Sequence, residues 1–114
     1  MDVEAKILGA KVAEKSLNRY GALLEGVAVY LSDCCLDGKP YAEIYVFLEE
    51  LPIEEEDIAS EILASIKEGE CAGVSVFVFT LSEVERRRGS LIEALKVSHI
   101  AYDRSGRIKR LLET

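Results

Sequence analysis

The chain has 114 residues, 49% of them hydrophobic, a mean hydropathy of +0.11 and a net charge of −7. That is enough chain for one domain with its own core, and it is too apolar for a disordered segment. The acidic balance opposes general affinity for nucleic acid, whose phosphates need Lys and Arg to neutralise them, although an average does not bound a local basic patch.

Residues 2–20 read as a helix, with Val3, Ile7, Ala10, Leu17 and Tyr20 at helical spacing and Gly21 and Gly26 punctuating the exit. Residues 26–31, GVAVYL, form a short apolar run with β-branched members, which predicts a buried strand. Asp37, Gly38, Lys39 and Pro40 read as a turn. Tyr41 to Leu48 then reads as a second strand. Its alternation puts Ala42, Ile44, Val46 and Leu48 on one face and Tyr41, Glu43, Tyr45 and Phe47 on the other. The link over 32–40 is too short for a helical crossover, so these two strands are expected to be antiparallel.

A helix is expected to start over residues 51–57, where Pro52 suits the first turn and four acids suit the N-terminal end of the dipole. Ile58, Ile62, Leu63 and Ile66 are its expected buried stripe, and Gly69 its stop. The same acidic run could be read as a metal site, but a charged helix start needs no function. Val74 to Thr80, VSVFVFT, reads as a third strand. Ser82 with Glu85 suggests a capping box for a short helix over 83–88, and Ser90 with Glu93 another for a helix over 91–96. Val97 to Tyr102 reads as a fourth strand, and Arg107 to Glu113 as a last amphipathic helix carrying Ile108, Leu111 and Leu112. The fold class is therefore α/β, a mixed sheet of about four strands with flanking helices. No repeat, linker or low-complexity block divides it, so residues 1–114 read as a single domain.

No apolar run reaches the roughly 20 residues needed to span a bilayer, and residues 1–15 lack the apolar stretch of a signal peptide. A cytoplasmic location without a membrane partner is the expectation. Cys34, Cys35 and Cys71 lack metal-ligand spacing, and His99 is the only histidine, which argues against zinc. The cysteines read as buried thiols in a reducing compartment. A bridge from Cys71 to Cys34 or Cys35 is the sharper alternative. Gln is absent and Asn18 is the only Asn, a composition that fits a heat-adapted (thermophilic) organism. Arg86, Arg87 and Arg88 radiate around a helix and read as its solvated C-terminal end instead of a phosphate grip. His99 lies between apolar neighbours and reads as structural.

From Val74 to Glu113 the chain resembles the tail of the minimal nucleotidyltransferase domains of the DNA polymerase β-like superfamily. The residues that carry the resemblance are Phe79-Thr80, Glu85-Arg86-Arg87, Ala101-Tyr102-Asp103-Arg104 and Gly106-Arg107. The opening helix and strand fit in order and length, so the resemblance covers most of the chain and implies a nucleotidyltransferase-like fold.

Members of that family place Gly-Ser at the end of the first strand, Asp-x-Asp on the second and often a further carboxylate on the third. Alternate strand residues point the same way, so such acids converge on one spot and cage two Mg²⁺ ions against a triphosphate. Carried onto this chain, the Gly falls on Leu31, the Ser on Ser32, the two aspartates on Glu43 and Tyr45, and the third acid on Ser75. Leu31 would add bulk near the phosphates. One carboxylate of three remains, so the resemblance implies a degenerate active site with Glu43 as vestigial catalytic residue and no cofactor. Asp33 and Asp37 are the alternative source of carboxylates if the register differs.

The expected role is a binding or regulatory, antitoxin-like module. Its implied partner is a helical protein of the HEPN type, as in toxin–antitoxin pairs, or further copies of itself in a homo-oligomer. Tyr41, Tyr45, Phe47, Phe77 and Phe79 are expected to refill the catalytic face. The alternative is an active enzyme that moves a nucleoside monophosphate from an NTP to a hydroxyl group, with Ser32 on phosphate and Glu43 on Mg²⁺. Glu43 also has a plain reading as a half-exposed strand residue, and an unrelated small-ligand role on a shared fold remains a third reading.

Overall fold

The computed structural model describes residues 2–36, 39–66, 71, 73–86 and 88–113, and the side chains of all of these but 2, 3, 33–36, 39, 40 and 88. Helix α1 (Asp2–Tyr20) is followed by a single 3-10 turn, Gly21–Leu23, then β1 (Leu24–Leu36), β2 (Lys39–Leu48), α2 (Glu55–Ala64) and β3 (Gly73–Thr80). Two short helices come next, α3 (Leu81–Arg86) and α4 (Arg88–Lys96), and the chain closes with β4 (His99–Asp103) and α5 (Arg107–Leu112).

The sheet order is β3-β2-β1-β4. β1 is antiparallel to both β2 and β4, and β2 is parallel to β3, so the sheet is mixed, as the short link between the first two strands and the longer one through α2 require. Each face carries its own apolar cluster. On one side α1 and α2 cover Val27, Val29, Leu31, Ala42, Ile44, Val46, Leu48 and Val78. On the other, Ala28, Tyr45, Phe47 and Phe79 meet Val84, Leu91, Leu95, Ile108 and Leu111 from α3, α4 and α5. The Cα radius of gyration, 13.3 Å, matches the value of about 13 Å expected of one compact domain near this length.

α1 packs on a face other than the one its large residues suggest. Ala5, Gly9 and Ala13 form one inward row at four-residue spacing, and Leu8, Val12, Ser16 and Tyr20 form the next. Of the expected stripe, Tyr20 is buried, but Ile7 is 65% exposed, Leu17 and Ala10 are also exposed, and Val3 lies outside the described side chains. The reason is proximity. A Cβ on Gly9 would lie 2.7 Å from the Ala101 Cβ, so only a row of small residues lets the helix sit this close to β4. His99 is half-buried, with its ring beside Gly9, in keeping with a structural role. The helix ends at Gly21, whose φ of +57° is the left-handed conformation that stops helices.

Other boundaries differ for local reasons. β1 runs five residues past the apolar stretch because Cys35 and Leu36 pair with Pro40 and Lys39, which places the latter two in β2 and not in a turn. α2 starts at Glu55, three residues after Pro52, and Glu55, Glu56 and Asp57 occupy its first turn. Ile58 and Ile62 are buried and Ile66 packs against them, but Leu63 sits a quarter-turn away and is exposed. Gly69 lies outside the described residues, as do Asp37, Gly38 and Arg87.

The cap of α3 is Thr80, not Ser82. Glu83 N–H donates to Thr80 Oγ1 at 3.3 Å, and Thr80 N–H donates to Glu83 Oε1 at 3.2 Å, which is the reciprocal pair of a capping box. Likewise α4 starts at Arg88, so Ser90 lies inside it. β4 begins at His99, two residues later than expected, and leaves Val97 exposed.

Candidate functional site

The residues singled out by the resemblance lie on β1, β2 and β3, and strand alternation decides which of them share a face. Glu43 pairs across β2 with Tyr30 of β1 on one side and Ser75 of β3 on the other. Two residues along, Tyr45 pairs with Ala28 and Phe77, and after that Phe47 with Gly26 and Phe79. Tyr41 begins the row opposite Gly73, where a Cβ would lie 2.8 Å from the tyrosine ring. Glu43, Tyr45, Ser75 and the aromatic residues expected with them are therefore brought together on the face away from α1 and α2.

The chemistry of this face is set by the pair at its centre. The Tyr45 hydroxyl donates to Glu43 Oε1 at 3.2 Å. Burial first, then the neighbouring Glu43 carboxylate, pushes the phenol up to about 12. Tyr45 thus stays a neutral donor at physiological pH, and one oxygen of the Glu43 carboxylate is engaged by its phenol. The rings stack beside it: Tyr45 on Phe77 at 5.2 Å and Phe47 on Phe79 at 5.9 Å between centroids. Phe47 and Phe79 are buried under the C-terminal helices, while Tyr41 at 44% and Phe77 at 41% exposure remain open to solvent. The face thus grades from packed to exposed along β2 and β3.

Leu31 corrects one expectation. It pairs with Ala42 and belongs to the cluster under α1 and α2, so its bulk is turned away from Glu43 and occupies nothing on this face. Ser32, next in β1, is half-buried. The side chain of Asp33 and the whole of Asp37 lie outside the described residues, as do the side chains of Cys34 and Cys35; Cys71 is half-buried against the cluster under α1 and α2. Among the described residues no three His, Cys, Asp or Glu side chains gather closely enough to hold a metal ion. Arg86 falls in the last turn of α3, as expected, but Arg88 opens α4 and so stands at a helix start and not at the end of the preceding helix, while Arg87 lies outside the described residues.

Three features escaped the sequence reading. The segment Tyr102-Asp103-Arg104 with Gly106-Arg107 is a structural clasp. Asp103 accepts from the Ile108 N–H at 3.3 Å and the Lys109 N–H at 3.0 Å, so it caps α5. Arg104 donates from its backbone to Glu25 O at 3.0 Å and from its guanidinium to Ala22 O, and Ser105 donates to Glu25 Oε2 at 3.0 Å. The signal, an Asp four residues ahead of a helical stretch with Gly between, was present in the sequence. Second, Glu61 of α2 accepts from the Tyr20 hydroxyl at 2.6 Å and from Arg19 Nε at 3.0 Å, joining α1 to α2. A separation of 41 residues hides such a pair from any local pattern. Third, an open cleft of about 460 Å³ lies between α3 and α5. Val84, Ile108 and Leu111 line it together with Glu85, Arg107 and Arg110, and it includes none of the residues around Glu43.

No family model, no curated protein and no solved structure matches the chain. Among the described residues no helix is long and apolar enough to cross a membrane.

Proposed function

We propose that the chain is a nucleotidyltransferase-like domain of the minimal type whose catalytic carboxylates have been lost, and that it acts as a binding or regulatory, antitoxin-like module through the face around Glu43. The observation that carries this reading is the environment of that residue: serine opposite it on β3, and a phenol bonded to it from the next same-face position on β2. Two Mg²⁺ ions need several anionic oxygens between them, and a single glutamate beside a neutral phenol is a poor cage. The exposed rings of Tyr41 and Phe77 offer apolar area to a protein partner. A helical HEPN-type protein is the partner the resemblance suggests.

The test is calorimetric. Titration of Mg²⁺ and ATP into the purified chain is expected to give no binding heat. Metal-dependent binding that disappears in Glu43→Ala overturns the reading in favour of an active nucleotidyltransferase, with Ser32 on phosphate and Glu43 on metal.

A further inference from the structure

A sheet of this kind has two edges, and here they are treated differently. β4 is short, at five residues. It ends in Asp103, breaks register against β1 between Val27 and Ala28, and lies against α1 at Gly9. These are the means by which sheets blunt an edge: brevity, charge, irregularity and cover. Among the described residues β3 has neither brevity, charge nor irregularity, and α2 covers its face and not its edge. It runs eight residues in unbroken register with β2, from Tyr41 opposite Gly73 to Leu48 opposite Thr80. Its sequence, GVSVFVFT, contains no charge and no proline. Among the described residues it pairs with β2 alone, so alternate residues along it direct their N–H and C=O groups away from the sheet.

We propose that β3 pairs antiparallel with β3 of a second copy of this chain, across a two-fold axis, to make one continuous eight-stranded sheet. The inference does not rest on the loss of catalysis, since the pairing is made by the backbone edge of β3, although Ser75 and Phe77 of the face around Glu43 meet across the seam. A second copy is favoured over another strand because the seam is self-complementary. In the register centred on Val76, Val76 faces its own mate, Val74 faces Val78, and Ser75 faces Phe77. The valines extend the apolar face under α1 and α2, to which Val74, Val76 and Val78 already belong. On the opposite face the exposed Phe77 ring lies over the small exposed Ser75 of the other copy, twice by symmetry. With no charge in the strand, the net charge of −7 sets no like charges opposite one another in the ladder. Two-fold pairing uses the β3 edge of both copies and leaves only the blunted β4 edges outside, so assembly closes at the dimer and does not run on into a fibre.

The experiment combines mass with amide exchange. Sedimentation velocity of the full chain is expected to show a species of twice 12.6 kDa that dissociates on dilution. Ser75→Lys, at an exposed position outside both cores, replaces the small residue under Phe77 of the other copy and sets two like charges diagonally across the seam; it is expected to raise the dimer dissociation constant about tenfold, with an unchanged far-ultraviolet spectrum. In the unsubstituted chain, alternate amides of β3 are expected to be protected at high concentration and to lose that protection on dilution, a readout that needs no variant to fold. A chain that stays monomeric up to about 1 mM overturns the inference and leaves the edge to a strand of a different protein. A dimer whose β3 amides exchange at the same rate at every concentration also overturns it, because association then uses another surface.

Discussion

Tyr45 shows how one side chain reports on its surroundings. Its phenol is raised to about 12 by burial and by Glu43, in that order. The difference between the alkaline absorbance titrations of the unsubstituted chain and Tyr45→Phe should therefore trace a single phenol with a midpoint near 12. In Glu43→Gln that midpoint should fall towards the ordinary 10.0 without reaching it, since burial persists. A midpoint that does not move would mean that the bond between the two side chains is absent in solution. Glu61 behaves in the opposite sense. The Tyr20 hydroxyl, and secondly Arg19, hold its carboxyl below the usual range. A depressed acid adds stability that is present above its unfolded pKa, about 4.3, and is lost as pH falls through the lowered folded value. Glu61→Gln should consequently be less stable than the unsubstituted chain to urea at pH 7, and the gap between their midpoints should close in acid below the carboxylate range. The pairing itself was invisible in the sequence, because Tyr20 and Glu61 meet only once α1 and α2 have docked on the same side of the sheet.

Helix α3 illustrates how an element can be foreseen and still be placed wrongly. Both Thr80-x-x-Glu83 and Ser82-x-x-Glu85 satisfy the capping-box pattern, and sequence spacing does not separate them. The end of β3 does: Thr80 is the last residue in register with Leu48, so the chain must turn there and the helix starts at Leu81. Thr80→Ala should cost about 1 kcal/mol in urea unfolding, whereas Ser82→Ala, at an exposed helical position, should stay within about 0.5 kcal/mol of the unsubstituted chain. Equal costs at the two sites would return the cap to Ser82. The strands were the most legible elements, because alternation over 41–48 separates two faces cleanly: one is packed from Ala42 to Leu48, and the other is packed at Tyr45 and Phe47. The inward face of α1 was the least legible. Large residues dominate a periodicity argument, but the inward row is Ala5, Gly9 and Ala13, and the close approach to β4 is made at Gly9, whose lack of a side chain is what permits it.

Across the molecule, a mixed sheet of about four strands with flanking helices was foreseen from the order of the elements and the lengths of the links between apolar runs, which left β1 and β2 no route but antiparallel pairing; that helices cover both faces came from the structure. The candidate site was legible to the extent that alternation governs it: Glu43, Tyr45 and the aromatic rings share a face because they differ by two along one strand or pair across two. The side-chain bond that joins Tyr45 to Glu43 depends on rotamers, and was not legible. Nor was the destination of Leu31, which needed the register between β1 and β2 to place it among the residues under α1 and α2.

One edge of this sheet joins segments that lie far apart in the chain. β1 finds β2 almost at once, but its other side waits for β4, whose His99 pairs with Val29 about 70 residues later. At a synthesis rate of roughly 5–20 residues per second, that flank stays bare on the ribosome for about 4–14 s. α1 shares the delay, because the strand it fits against at Gly9 follows the other three strands of the sheet in the chain. A nascent chain arrested before His99 should therefore aggregate more readily than one extended past Asp103, and the segment that ends its vulnerability is only five residues long.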